Sequence, residues 1–275
     1  MPSLGLGLTL GRSNGSGPIY DPDAMAWFEA VEAEGTTFGP TLEIAASNKK
    51  AWSNWVIAQK NSESPIEGRS NWDQLTEPGE GYIQPLIGVS TFNIPALFGA
   101  PLFDGFVVGD YDPATGLRGG EDRGIGCGRR WSHTPTNDVS VAVILTGPPT
   151  TDTLSVSRVI GGQGFSFPEG ILNDGRVQSR DAAQQDTITL FGISTPRTLA
   201  ISRNTENEFQ VFNGEVYNFS GLSSSPLLEH VGFLNNRDLD RESDARIGLA
   251  TYGRSIDIEA MNDACIALSG AIMWP

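Results

Sequence analysis

Two groups of carboxylates hold the densest potential chemistry in this sequence. Residues 238–244 read Asp-Leu-Asp-Arg-Glu-Ser-Asp. On an extended strand, where side chains alternate with a period of two, Asp238, Asp240 and Glu242 would face one side. Carboxylates about 5 Å apart are what a retaining glycosidase needs, one as acid and one as nucleophile. The flanks point elsewhere: Asn235, Asn236, Arg237 and Arg241 surround the acids, and Leu239 alone is apolar. Such a composition suits a solvated, salt-bridged loop better than a cleft of sugar-stacking rings. The second group is Gly109-Asp-Tyr-Asp-Pro-Ala-Thr-Gly116, in which Asp110 and Asp112, with Asp122, could offer oxygens to calcium. The spacing departs from the EF-hand loop and supplies few of the six or more oxygens a calcium ion takes. Asp112-Pro113 reads instead as the start of a turn that Gly116 closes.

Other catalytic material is sparse. Of the two histidines, His133 lies in a Ser-His-Thr-Pro loop and His230 opens an apparent strand. A Ser-His-acid triad needs an imidazole positioned beside a nucleophile, and both histidines read as surface or half-buried residues. His-x-x-x-His and Cys-x-x-Cys do not occur, which argues against zinc. The Gly124-Ile-Gly-Cys-Gly128 stretch lacks the Lys-Ser/Thr and the helix that complete a phosphate loop. Cys127 and Cys265 are too few for a disulfide framework and read as reduced thiols, Cys265 inside a helix interface. Among Trp27, Trp52, Trp55, Trp72, Trp131 and Trp274, four lie on apolar stripes near the amino terminus, so packing explains them better than sugar stacking does. No catalytic, cofactor-binding or metal-binding residue is assigned on these grounds, and no cofactor is expected.

The chain that must carry these residues has 275 of them, 39% apolar and 19% charged, with a net charge of −15. That composition can build a core and excludes disorder for most of the length. The 33 glycines and 17 prolines are scattered, which excludes collagen and fits many turns. A surplus of acid argues against binding along a nucleic-acid backbone. No apolar run approaches the roughly 20 residues of a membrane helix. Met1–Leu10 has no positive n-region and is interrupted by glycine, so it does not read as a signal peptide. Folding in a cytoplasm is expected.

Residues 1–19 form an extended arm and tether. Leu4, Leu6, Leu8 and Leu10 share one face of a strand whose other face is nearly bare backbone, and a Gly/Ser/Asn stretch follows. These leucines are candidate assembly residues, the arm adding to a neighbouring subunit's sheet; a frayed terminus or a strand within the same domain are the alternatives. Residues 20–81 are helical. Asp21-Pro22-Asp23 starts one helix, with Ala24, Trp27, Phe28 and Val31 inward and Gly35 as its stop. A second helix spans about 42–61, with Ile44, Ala51, Trp52, Trp55 and Val56 as its stripe, and a short turn follows near Trp72. From 82 to 275 the period falls to two, in runs such as Val139–Leu145, Leu199–Ile201 and Ile247–Leu249. Phe209 to Phe219 reads as a hairpin with a two-residue Asn213-Gly214 turn. A closing helix, capped by Ser255 or Asp257, carries Ile258, Met261, Cys265, Leu268 and Ile272 inward. The fold class is therefore mainly β: an antiparallel β-sandwich or jelly roll with an N-terminal helical segment and a C-terminal helix.

Several segments together resemble a known group. They are Asp-Pro-Asp-Ala with Phe-Glu-Ala-Val-Glu-Ala-Glu-Gly (21–35), Ala-Leu-Phe-Gly-Ala-Pro and Phe-Val-Val-Gly-Asp-Tyr-Asp-Pro-Ala-Thr-Gly-Leu-Arg-Gly (96–119), and Tyr-Gly-Arg-Ser-Ile-Asp-Ile-Glu-Ala-Met-Asn-Asp-Ala (252–264). These resemble tailed-bacteriophage virion structural proteins with a concanavalin A-like (laminin G-like) jelly roll. The resemblance implies a non-enzymatic virion component: a tail fibre, a baseplate or neck appendage, or a capsid decoration. It would be assembled in the host cytoplasm through its arm and helices. Its partners would be other copies of itself, trimers among the possibilities, and other virion proteins, without nucleic acid or membrane insertion. The alternatives are a glycan-binding adhesin module meeting a host-surface glycan and, behind it, a glycoside hydrolase using Asp238, Asp240 and Glu242.

Overall fold

The computed structural model describes residues 19–38, 44–120, 122–135, 137–147, 156–158, 165–168, 174–177, 186–189, 195–212, 214–220, 230–236 and 241–272. Leu4, Leu6, Leu8 and Leu10 lie outside them. Helix α1 (Pro22–Phe38) begins at Asp21, whose Oδ1 accepts the Asp23 N–H at 2.9 Å, and it runs past Gly35. Helix α2 (Ala46–Asn61) starts later than the apolar stripe suggests. Helix α3 (Asn71–Leu75) is fixed by a capping box between Ser70 and Asp73. Helix α4 (Ile258–Ala271) is capped by Asp257, which accepts from the N–H groups of Glu259 and Ala260. Ser255, the other candidate cap, binds Asp138 instead, at 2.7 Å through its hydroxyl. No helix among the described residues is long and apolar enough to cross a membrane.

The strands are β1 (Tyr82–Pro85), β2 (Leu102–Asp104), β3 (Tyr111–Asp112), β4 (Gly116–Arg118), β5 (Gly124–Arg130), β6 (Val139–Gly147), β7 (Val156–Arg158), β8 (Phe165–Pro168) and β9 (Asp174–Val177). They continue with β10 (Asp186–Thr189), β11 (Arg197–Arg203), β12 (Glu208–Phe212), β13 (Val216–Ser220), β14 (His230–Phe233), β15 (Asn235–Asn236), β16 (Arg241–Glu242) and β17 (Arg246–Gly253). Eight of them form one antiparallel sheet in the order β13-β12-β11-β6-β17-β4-β3, with β1 also paired to β17. Strand β17 is the axis. It pairs with β6 along its length, with β4 at Arg246 and Ile247, and with β1 from Leu249 to Tyr252. A three-stranded sheet, β14-β5-β2, packs on one face of the large sheet, and the helices pack on the other. Strands β10-β9-β8-β7 form a four-stranded sheet, and β15-β16 a two-stranded one. The chain is thus mainly β, an antiparallel sandwich of jelly-roll type with helices at both ends.

This layering gives the molecule two cores that share one sheet. Val139, Val141, Val143 and Leu145 point from β6 into the sandwich, where they meet Ile125, Cys127, Val231 and Phe233. The alternate residues Ala142 and Ile144 point the other way, onto Trp27, Trp52, Trp55, Cys265 and Leu268. A sheet covered on both faces takes apolar residues on both, which is why β6 reads as a nearly unbroken hydrophobic run. The tryptophans tie the helices down further: Trp27 Nε1 donates to Pro95 O at 2.9 Å and Trp52 Nε1 to Ile87 O at 3.0 Å. The helices of residues 20–81 thus bury their apolar faces against their own sheet.

The β12–β13 hairpin forms, but its register differs from the expected two-residue turn. Phe212 pairs with Val216, leaving three residues in the loop, and Gly214 takes a φ of 83°. A one-residue slip exchanges the two faces of a strand. In the observed register Phe219 stands opposite Phe209 inside the sandwich, their rings stacked at 5.3 Å. The two-residue turn would have placed Asn218 there. Burial of the second phenyl ring outweighs the local preference of Asn-Gly.

Candidate functional site

The expected chemical residues divide sharply in the structure. Asp238 and Asp240 lie outside the described residues, and Glu242 is placed only by its backbone, opposite Asn235 in the β15–β16 ladder. His133 accepts the Arg130 N–H through Nδ1 at 3.3 Å, while the backbone of His230 pairs with Arg130. The glycine-rich stretch 124–128 is part of β5, the middle strand of the small sheet, with Ile125 and Cys127 facing inward. Burial pushes both thiols up to about 12, that of Cys127 in the sandwich and that of Cys265 between Trp55 and Thr198. Neither is a nucleophile at neutral pH. Among the described residues no three His, Cys, Asp or Glu side chains gather to hold a metal ion.

Asp110 and Asp112 do sit in a cluster, though with cations of the chain as their neighbours. Asp110 is buried, its Oδ2 accepts the Val107 N–H at 2.8 Å, and its Oδ1 meets Arg123 Nη1 at 2.9 Å. Asp112 makes the expected turn: its Oδ1 accepts from Ala114 N at 2.8 Å and Thr115 N at 2.9 Å, and Gly116 follows with a φ of 86°. Burial disfavours the Asp112 carboxylate, yet the Thr115 and Ala114 N–H groups, with Arg246 nearby, outweigh it and hold its carboxyl below the ordinary range.

Two further arginines complete this rim, and the sequence alone did not reveal them. Arg118 on β4 stands directly opposite Arg246 on β17. Arg246 Nη1 donates to Gly116 O at 2.7 Å and reaches Asp110 O at 3.5 Å. Arg118 Nη2 lies 3.6 Å from Asp244, a carboxylate that is itself buried. Three guanidinium groups therefore ride over Asp110, Asp112 and Asp244 at one edge of the large sheet. Beside them the 105–110 loop holds Val107 and Val108 outward, 58% and 88% exposed. The rim combines fixed donors, fixed acceptors and an apolar tip. A second surface, the outer face of the small sheet, carries Leu102, Asp104 and Arg130 around the glycines of β5 and has less polar chemistry.

No family model matches the chain, and no curated protein does. Among solved structures, a mutant of Trypanosoma rangeli sialidase displaying trans-sialidase activity aligns with a TM-score of 0.51 and 11% identity, over 84% of this chain and 39% of the sialidase. Trypanosoma rangeli sialidase in complex with sialic acid gives 0.49 and 10%, over 82% and 38%. Domain 4 of an extracellular arabinanase from Geobacillus stearothermophilus, in complex with arabinotriose, gives 0.35 and 14%, over 66% and 96%. At such identities the likeness concerns the fold alone, and the chain spans about 39% of the length of the first sialidase.

The comparison corrects two expectations. The sandwich that the resemblance tied to a non-enzymatic virion structural protein also occurs within an enzyme, the Trypanosoma rangeli sialidase mutant displaying trans-sialidase activity. Jelly-roll architecture therefore does not mark a building block, and the virion role and the expectation of no enzyme are both withdrawn.

Proposed function

We propose that the chain binds glycans at the rim formed by Asp110, Asp112, Arg118, Arg123, Asp244 and Arg246. The observation that carries this reading is the interleaving of guanidinium and carboxylate groups beside the exposed Val107–Val108 tip. Sugar hydroxyls both donate and accept, so they are held by fixed polar groups of both kinds, while one ring face rests on an apolar surface. The rim is rigid where it needs to be: Asp110 ties the tip to Arg123, and Asp112 caps the turn beneath Arg246. The fold shared with a sialidase lends support.

A glycan array probed with the purified chain tests the proposal. Reproducible binding to a related set of glycans is expected, and Val107→Ser with Val108→Ser should weaken every member of that set at least about tenfold, a change of roughly 1.4 kcal/mol. Both valines are largely exposed, so the fold should remain intact. An array without reproducible binders would overturn the reading. The fold likeness to sialidases also favours a second reading, that the chain is part of a glycoside hydrolase. Release of fluorophore from aryl sialosides or arabinosides by the purified chain, against a heat-denatured control, would decide it.

A further inference from the structure

We propose that the rim selects uncharged sugars and discriminates against acidic ones; this rests on the glycan-binding reading and names the class of glycan. Each charge of the rim has its counterpart within the rim. Asp110 meets Arg123 at 2.9 Å, Asp244 lies 3.6 Å from Arg118, and Arg246 acts on Asp112 from nearby. Arg246 also donates through Nη1 to the backbone oxygens of Gly116 and Asp110. Three guanidinium groups and three carboxylates leave these six side chains neutral as a set.

The surroundings tip the balance further from anions. The whole chain carries a net charge of −15, and Glu121 and Asp122 stand directly before Arg123 in the sequence. Asp104 is exposed where β2 runs into the 105–110 loop. An acidic sugar would therefore approach a negative molecule and meet only cations whose field an acid beside them cancels. The hydration it gives up would not be replaced by an ion pair of its own.

A hydroxyl asks for less. Guanidinium N–H groups donate to it and carboxylate oxygens accept from it even where their charges cancel. Pairing also fixes the orientation of these groups before a sugar arrives, which lowers the cost of binding. The Val107–Val108 tip alongside is apolar and exposed. It suits the C–H face of an uncharged ring and disfavours the water shell of a fixed negative charge.

An array of matched sugars tests the inference: lactose beside sialyllactose and sulfolactose, galactobiose beside digalacturonate, and further neutral oligosaccharides beside their uronic-acid counterparts. Within each pair the neutral member should bind about tenfold more tightly. Raising the salt from about 0.1 M to about 1 M shortens the Debye length from about 10 Å to about 3 Å. That change should leave neutral binding level and narrow the deficit of the acidic member. Two exposed rim residues should move the ratio in opposite directions. Asp112→Asn keeps an oxygen to accept from the Ala114 and Thr115 N–H groups and removes one negative charge, so the deficit should shrink about threefold. Arg118→Gln removes one positive charge, and the deficit should grow by a similar factor. General loss of folding would not split the two variants in this way. Acidic members bound as well as neutral ones or better, acidic binding that weakens with salt, or a ratio unchanged in both variants would overturn this inference and leave glycan binding standing. An absence of any binder would overturn both.

Discussion

Asn71 shows how much of the structure rests on single buried side chains. Its Nδ2 donates to Asp257 O at 2.9 Å and to Gln59 Oε1 at 3.2 Å, and its Oδ1 accepts the Asp257 N–H at 2.8 Å. One side chain thus joins α2, α3 and the cap of α4. Asn71→Ala would take from the part-buried Asp257 N–H its acceptor, while Asp257 O keeps the Met261 N–H, and it should cost about 1–3 kcal/mol, read as a lower urea midpoint at constant m. A loss below about 0.5 kcal/mol would mean that the junction is carried elsewhere. Beside it, the Ser70 backbone N–H is the main cause holding the Asp73 carboxyl below its ordinary range. A lowered folded value makes its stabilising contribution complete above the unfolded value of about 3.9. That contribution is lost as pH falls from there through the folded value. Melting temperature measured against pH should therefore fall less steeply below pH 4 in Asp73→Asn than in the wild type. Caps such as Asp21 and Asp257 were legible in the sequence because a cap and its partner are local. The arginine rim was not, since Arg118 and Arg246 become neighbours only once two strands distant in sequence are paired.

At the scale of elements, local pattern located about half of the strands and misjudged what joins them. The alternation in Val139–Leu145, Leu199–Ile201 and Ile247–Leu249 marked β6, β11 and β17. Strand β5 escaped because alternate glycines hide the inward Ile125 and Cys127 behind a loop-like composition. The hairpin register escaped because the ring opposite Phe209 was chosen by the sandwich, not by the turn. Gly116 shows the reverse case, a turn residue that the whole sheet requires. Its φ of 86° is costly for any side chain, and a Cβ there would overlap the carbonyl oxygen of Ile247 on the paired strand β17. Backbone cannot yield as a flexible side chain does. Gly116→Ala should therefore destabilise the chain by about 3 kcal/mol or more, well beyond the usual cost of a surface change. Because Gly116 O also receives Arg246 Nη1, the same variant should weaken glycan binding even at temperatures where it stays folded. A melting point within a degree or two of wild type would show that the β3–β4 turn can relax away from β17.

For the whole molecule, the sequence showed which layers exist but not how they are stacked. Period-two runs and two helical ends are visible in one dimension; that the helices and the small sheet cover opposite faces of one large sheet is not. The stacking has a consequence for how the molecule opens. Each core contains one buried thiol, Cys127 beside Val231 and Cys265 beside Trp55, and burial pushes both up to about 12. At pH 8 the thiolate fraction of either is on the order of one in ten thousand, so a thiol reagent should label neither in the native state. Labelling then reports opening. Strands β6 and β17 place alternate residues in the two cores, so lifting the helices would expose Ala142, Ile144 and Leu249 on a sheet still folded on its other side. That partial state gains little entropy for the apolar area it exposes, and cooperative loss of both cores is favoured. Single-cysteine variants Cys127→Ala and Cys265→Ala, labelled across a urea series and read by mass, should give one shared midpoint. Modification of Cys265 at a lower urea concentration than Cys127 would show instead that the helical layer detaches first, leaving the sandwich to stand by itself.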